Sequence, residues 1–232
     1  MELKIQNITK RYRDKTAVDD VSITLTPGVW ELLGANGAGK TTFLKIISRL
    51  ITQNQGNILI DNISINHTDF LNVPIAYIGD SSVYYSDLTV KEHLLLICSI
   101  KKFTKKDSQK KVNYLLETLK LEKYKNMFPN KLSKGTLQRM NIAIGIIRNE
   151  NYILMDEPFN ALDPVQVDAV ENLIITEREK NKVLIISSHD IESLNRICDI
   201  YLILKDGKLL EFTPNEINTK NIMEMIIDSY GE

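Results

Sequence analysis

The sequence holds only two cysteines and six prolines in 232 residues, no long apolar run, and no excess of charge of either sign. Each shortage removes a class of protein. Cys98 and Cys198 are too few and too far apart for a disulfide framework, and they match no metal-ligand spacing. Two thiols in a chain of this length point to a reducing compartment. Cys98 lies in an apolar stretch and reads as a buried structural thiol. The longest apolar runs, such as Leu94–Cys98, fall well short of the ~20 residues that a membrane helix needs. Met1-Glu2-Leu3-Lys4 shows no basic segment leading into an apolar one, so no secretory leader is predicted. The 29 basic and 30 acidic residues leave a formal charge of -1, which gives no general attraction to nucleic acid or anionic lipid. A content of 43% apolar and 25% charged residues is that of an ordinary folded chain, which excludes low complexity and disorder. The expectation is a cytoplasmic protein of one domain, whose role at any membrane comes through a partner.

What is present is an alternation of short apolar runs and helical patterns. Leu3–Ile5 and Val21–Leu25 alternate as half-buried strands, and Pro27-Gly28 punctuates the second. Trp30–Leu33 reads as a strand, followed by a glycine-rich loop and a helix over Thr42–Leu50. Ile58–Ile60 and Ile63–Ile65 resemble two strands around a tight turn at Asp61-Asn62. Val90–Ile100, Ser108–Leu119 and Thr136–Arg148 look helical. In the second, Val112, Leu115, Leu116 and Leu119 fall on one face. Residues 88–148 are therefore predicted to form a helical lobe, and 213–232 a short tail. Tyr152–Met155, Val183–Ser187 and Tyr201–Leu204 are apolar throughout, as parallel strands buried on both faces are. Asp163-Pro164 supplies an N-cap and an N1 proline for a further helix. Strand–helix alternation around a buried parallel sheet predicts the α/β class. Glu31 fits this pattern badly, since it falls inside the strand before the glycine loop and needs a polar partner or an exposed sheet end.

Gly34-Ala35-Asn36-Gly37-Ala38-Gly39-Lys40-Thr41 matches G-x-x-x-x-G-K-[ST] in full, between a strand and a helix. Glycines without a Cβ let successive N–H groups turn inward around phosphate oxygens. The helix that follows directs its positive end at them. Lys40 places a point charge between β- and γ-phosphates, and the Thr41 hydroxyl is a ligand for Mg²⁺. Residues 34–41 together with Thr42 form the predicted nucleotide site, with ATP and Mg²⁺ as the expected ligands. Such a loop binds phosphates without selecting a reaction, so kinases, GTPases and helicases use it too.

Tyr152–Met155 ends in Asp156-Glu157. At the end of a central strand Asp156 is placed for a water-mediated hold on Mg²⁺, and Glu157 to polarise an attacking water as general base. Val183–Ser187 likewise leads to Ser188-His189-Asp190, at the end of a parallel strand where such folds keep their ligand chemistry. His67 and His93 read as structural.

Taken together these residues resemble the ATPases of ABC (ATP-binding cassette) transporters, over about residues 1–212. The discriminating stretch is Leu132-Ser133-Lys134-Gly135-Thr136-Leu137-Gln138-Arg139, which is similar to the family signature Leu-Ser-Gly-Gly-Gln. The resemblance implies a P-loop core with a parallel sheet, N-terminal antiparallel strands and a helical lobe. It implies head-to-tail pairing with a second cassette, identical or not. The signature residues Ser133, Lys134, Gly135 and Thr136 would then cap the ATP held by the opposite phosphate loop. It also assigns Tyr12 to stacking on adenine, Ala161-Leu162-Asp163-Pro164 to the link between two sites, and His189 to the γ-phosphate. The partner implied is an integral membrane subunit, and small bacterial exporter ATPases carry a similar Ser-Lys-Gly signature, which favours export.

Three residues depart from the family pattern. Lys134 stands in place of a glycine and Thr136 in place of the glutamine. Asp80, ahead of Leu88-Thr89-Val90, takes the position of a glutamine that touches Mg²⁺ and senses the membrane subunit. A carboxylate there remains a metal ligand with a shorter reach. The six lysines of 101–111 read as a solvated face. The alternative function, a cassette ATPase acting on a ribosome or nucleic acid, calls for two cassettes or a long insertion and for basic charge. Neither is present, so no nucleic-acid partner is expected.

Overall fold

The computed structural model describes residues 1–13, 15–68, 72–80, 84–188 and 196–213. Its frame is a six-stranded sheet in the order β10-β9-β3-β8-β7-β6. The strands are β3 (Gly28–Leu33), β6 (Ile75–Ile78), β7 (Tyr152–Asp156), β8 (Val183–Ser188), β9 (Ile200–Lys205) and β10 (Lys208–Phe212). All pairings are parallel except the β9–β10 hairpin. A second, antiparallel sheet orders β2 (Lys15–Leu25), β1 (Leu3–Tyr12), β4 (Gln55–Ile60) and β5 (Ile63–Ser64). Five α-helices complete the described residues: α1 (Lys40–Ile47), α2 (Val90–Ile100), α3 (Lys105–Thr118), α4 (Lys134–Ile147) and α5 (Pro164–Glu179). The fold is the α/β arrangement that the sequence predicts.

Side-chain alternation along the central strands divides the interior in two. Ile153 and Met155 of β7, with Leu184 and Ile186 of β8, pack toward α2, α3, α4 and α5. Tyr152, Leu154, Val183 and Ile185 face the other way, onto α1 and the antiparallel sheet. Strands with both faces covered must be apolar at every position, which is why β7 and β8 read as continuous runs. The turn at Asp61-Asn62 has φ of 48° and 67°, the left-handed pair that a two-residue hairpin requires.

Element boundaries differ from the sequence expectation where caps decide them. The Thr104 hydroxyl accepts from Asp107 N, so α3 starts at Lys105 instead of Ser108. Ser133 accepts from Thr136 N in the same way, and α4 starts at Lys134. Glu31 is not at an exposed sheet end. It is fully buried in β3, between β8 and β9, opposite Tyr201. Burial, with the Glu31 carboxylate close by, pushes the Cys198 thiol up to about 12. Cys98 is buried, as expected, and its thiol is also raised by burial.

Candidate functional site

The carboxyl ends of β3 and β7 meet at one side of the sheet, and the loop leaving each builds the site. Gly39 closes the glycine loop at φ 106°, where a Cβ would lie 2.2 Å from the carbonyl oxygen of Ala17. No other residue fits there. Gly39 is the N-cap of α1 and supplies no side-chain cap, so the first N–H groups of the helix remain available to an anion. The Lys40 ammonium folds back over the loop, donating to the carbonyl of Gly34 at 2.7 Å. It also lies 3.7 Å from Glu157 Oε1. Burial lowers the Lys40 pKa, against the opposing effect of Glu157 and Asp156.

A cavity of about 520 Å³ opens above this loop. Ala35, Asn36, Gly37, Gly39, Lys40, Thr41 and Thr42 form its floor; Tyr12, Asp80, Asp156 and Glu157 also line it. Gly34 and Ala38 belong to the loop without lining the cavity; Ala38 N closes a turn onto Ala35 O. Tyr12 is half exposed at the mouth, with the Lys10 ammonium 5.0 Å from its ring centroid. Three lining residues escaped sequence reasoning. Lys15 donates to Gly37 O at 2.9 Å, a contact across 22 residues that no local pattern announces. Asn160 is a polar side chain three places after Glu157, a signal that was there to read; its amide reaches Asp80 Oδ1 at 3.5 Å. Ala17 completes the set.

The two acids are held differently. Asp156, the last residue of β7, is buried and accepts from Ser187 Oγ at 2.7 Å and from Tyr77 Oη at 3.1 Å. Burial and the adjacent Asp156 raise the Tyr77 pKa well above its usual value, so Tyr77 remains a donor. Glu157 turns out of the strand at φ 50° and its N–H donates to Ser187. Thr41, Asp80 and Asp156 place one hydroxyl and two carboxylates around the cavity, all hard oxygen donors. Among the described residues no three carboxylates, imidazoles or thiols form a closed cage. That donor set suits Mg²⁺, which keeps waters and takes phosphate oxygens from a ligand. Thr41, Asp80 and Asp156 also line a second cavity of about 480 Å³, together with Lys45, Tyr77 and Arg148.

The stretch from Ser133 to Thr136 is elsewhere on the chain, and none of its four residues lines this cavity. Ser133 and Lys134 are exposed at the start of α4. Gly135 and Thr136 are buried. Thr136 is only 2% exposed; it bonds Ser133 Oγ and receives Arg139 Nη2. Gly135 packs so closely on the next loop that a Cβ would sit 2.5 Å from Ala161 O. Asp163 caps α5, accepting from Gln166 N at 2.9 Å, also away from the cavity. His189, and the tail beyond residue 213, lie outside the described residues. His93 is structural, its ring nitrogens engaged with Thr89 O and Tyr85 N.

Known proteins resemble this chain over most of its length. The family model described as ABC transporter matches residues 18–160. An uncharacterised ABC transporter ATP-binding protein of Methanocaldococcus jannaschii is 32% identical over 212 residues, 91% of this chain and 77% of that protein. The carnitine transport ATP-binding protein of Listeria monocytogenes is 31% identical over 237 residues; the chain is covered to 99% but spans 60% of that relative. The lipopolysaccharide export system ATP-binding protein of Haemophilus influenzae is 30% identical over 221 residues, covering 93% and 92% of the two chains. Among solved structures, an ATP-binding subunit of an ABC transporter superposes with a TM-score of 0.85 at 26% identity, covering 100% and 95% of the two chains. A dimeric cassette in a post-hydrolysis state with ADP and Pi gives 0.82 at 27% identity, covering 91% and 98%.

Proposed function

The chain belongs to the ABC transporter family as an ATP-hydrolysing cassette, and we propose that it works as a head-to-tail pair driving a separate integral membrane subunit. The observation that supports this reading is the separation of two clusters of residues. One holds Lys40, Asp156 and Glu157 around a cavity; the other, Ser133 and Lys134 at the start of α4, lies apart from it. On this reading each cluster meets its counterpart only in a second chain.

In the proposed site Tyr12 stacks on adenine, and the loop from Gly34 to Thr42 receives the phosphates. Lys40 exchanges the Gly34 carbonyl and Glu157 for phosphate oxygens. Thr41 and Asp156 would hold Mg²⁺, with Asp80 as a further oxygen ligand, and the ion would supply charge neutralisation to the phosphates. Glu157, freed of Lys40, takes a proton from the attacking water. His189 contacts the γ-phosphate. Ser133, Lys134, Gly135 and Thr136 of the second cassette approach the same phosphate, aided by the positive end of α4. Asp163 belongs to the loop that links the two sites. Residues 88–148 act as one lobe of a single domain, and the pair is held at the inner face of the cell membrane by its membrane subunit.

Export is the direction proposed, on the resemblance of Ser133-Lys134-Gly135 to small exporter ATPases. The test of the paired mechanism is Glu157→Gln. It keeps the side-chain shape and loses the base, so turnover falls ~10²–10⁴-fold while ATP still binds. With Mg-ATP the variant runs as a dimer in size exclusion. Near-native turnover removes Glu157 from the mechanism, and a monomer at all nucleotide concentrations removes the pairing.

A further inference from the structure

Ser187 is the point where the two acids meet. The β8 residues before it, Val183 to Ile186, are aliphatic, and Ser187 itself is fully buried among them. A hydroxyl in such a place costs stability unless its hydrogen and lone pairs are used. Here both uses lead to the site. The single hydroxyl hydrogen goes to Asp156 Oδ1 at 2.7 Å, and a lone pair receives the N–H of Glu157 at 3.0 Å. The Ser187 carbonyl takes the same N–H at 3.2 Å. Glu157 has a left-handed backbone, φ 50°, which a non-glycine residue adopts only when its surroundings hold it there. The shared N–H does so, and the turn it fixes directs Glu157 toward Lys40. The other oxygen of Asp156 is taken by Tyr77 Oη at 3.1 Å, so the carboxylate is bracketed by two hydroxyls and cannot rotate freely.

We propose that Ser187 is a positioning residue for ATP hydrolysis: one hydroxyl sets the aim of the metal-holding Asp156 and the backbone turn that presents Glu157. The proposal rests on the roles given above to Asp156 and Glu157. It does not involve Ser187 touching nucleotide, since Ser187 does not line the cavity.

Threonine and valine have nearly the same volume and differ in the hydroxyl, so Ser187→Thr and Ser187→Val, in the full chain, separate the bond from the space. Three readouts are needed: kcat and KM for Mg-ATP, the half-saturating Mg²⁺ concentration, and the ATP dissociation constant in EDTA by calorimetry. Ser187→Val is expected to lose about tenfold in kcat, as one lost hydrogen bond implies. Its half-saturating Mg²⁺ rises severalfold, while metal-free ATP affinity stays within about twofold of the parent. Ser187→Thr recovers most of both losses. Ser187→Ala, the smaller variant, is expected to follow valine. Equal kcat and equal Mg²⁺ dependence in the threonine and valine variants overturns the proposal, whether both are active or both inactive. Loss of metal-free ATP binding in step with kcat overturns it too, because that marks a general disturbance of the loop. Glu157→Gln in the same assay keeps the two ideas apart. If it retains turnover, the role of Glu157 fails; if it is inactive while Ser187→Val is unaffected, only the positioning role fails.

Discussion

Replacing Lys40 by methionine should weaken ATP binding severely and leave the nucleotide-free fold as stable as before, or more so. Lys40 is 7% exposed, and its ammonium donates to Gly34 O at 2.7 Å. In the nucleotide complex it would exchange this neutral acceptor for charged phosphate oxygens. A charge-assisted hydrogen bond contributes about 1.5–3 kcal/mol, so even one net gain is worth roughly ten- to a hundredfold in Kd, and two approach a thousandfold or more. The stability side follows from the direction of the pKa shift. Burial lowers the Lys40 pKa more than Glu157 and Asp156 raise it. A lysine that binds its proton less tightly when folded pays for its charge below its folded pKa, and that cost fades as the pH rises through it. Methionine removes the cost, so near neutral pH the variant should melt at an equal or higher temperature, with any gain shrinking toward alkaline pH. Calorimetric titration with ATP and thermal melts across pH provide both measurements. A Kd within tenfold of the parent refutes the phosphate role, and a melting temperature several degrees lower at neutral pH refutes the account of the buried charge.

Three further outcomes are expected. Asp80→Asn should raise the Mg²⁺ concentration that half-saturates ATPase activity while metal-free nucleotide binding barely changes; an unchanged Mg²⁺ titration rules out Asp80 as a ligand. Gly135→Ala puts a methyl 2.5 Å from the Ala161 carbonyl, so the start of α4 must shift; turnover should fall at least tenfold with ATP affinity retained, and a fully active variant refutes the close packing. Tyr12→Ala should lose about 1 kcal/mol of ATP affinity, roughly fivefold in Kd, whereas Tyr12→Phe retains it; equal affinity in all three proteins removes the stacking role.

The glycine loop, the Asp156-Glu157 strand end and the Asp163-Pro164 helix start were legible because each is a local pattern with one backbone solution. β6 was not. Its four residues follow a proline and include Tyr77, whose hydroxyl is polar for the sake of Asp156, 79 positions away. β10 is half-buried or exposed along its whole length and, among the described residues, pairs with its hairpin partner alone, which makes a weak pattern. The burial of Glu31 and the bonds of Ser187 depend on which strands lie side by side. β7 and β8 are neighbours in the sheet with a helix between them in sequence, and no spacing rule reveals that Asp156 and Ser187 face each other.

The fit of Gly135 against Ala161 bears on how such proteins can be recombined. Gln138 Nε2 also reaches Pro158 O at 3.3 Å, so the first two turns of α4 and the segment from 158 to 161 are shaped to each other at two points. They are separated by the whole of β7 in sequence, yet neither surface is complete without the other. A chimera that imports residues 132–139 from a relative therefore inherits a turn cut for a different loop. Grafting both segments together should preserve the junction, and grafting either alone should not. The smallest exchangeable part around the start of α4 is discontinuous in the gene.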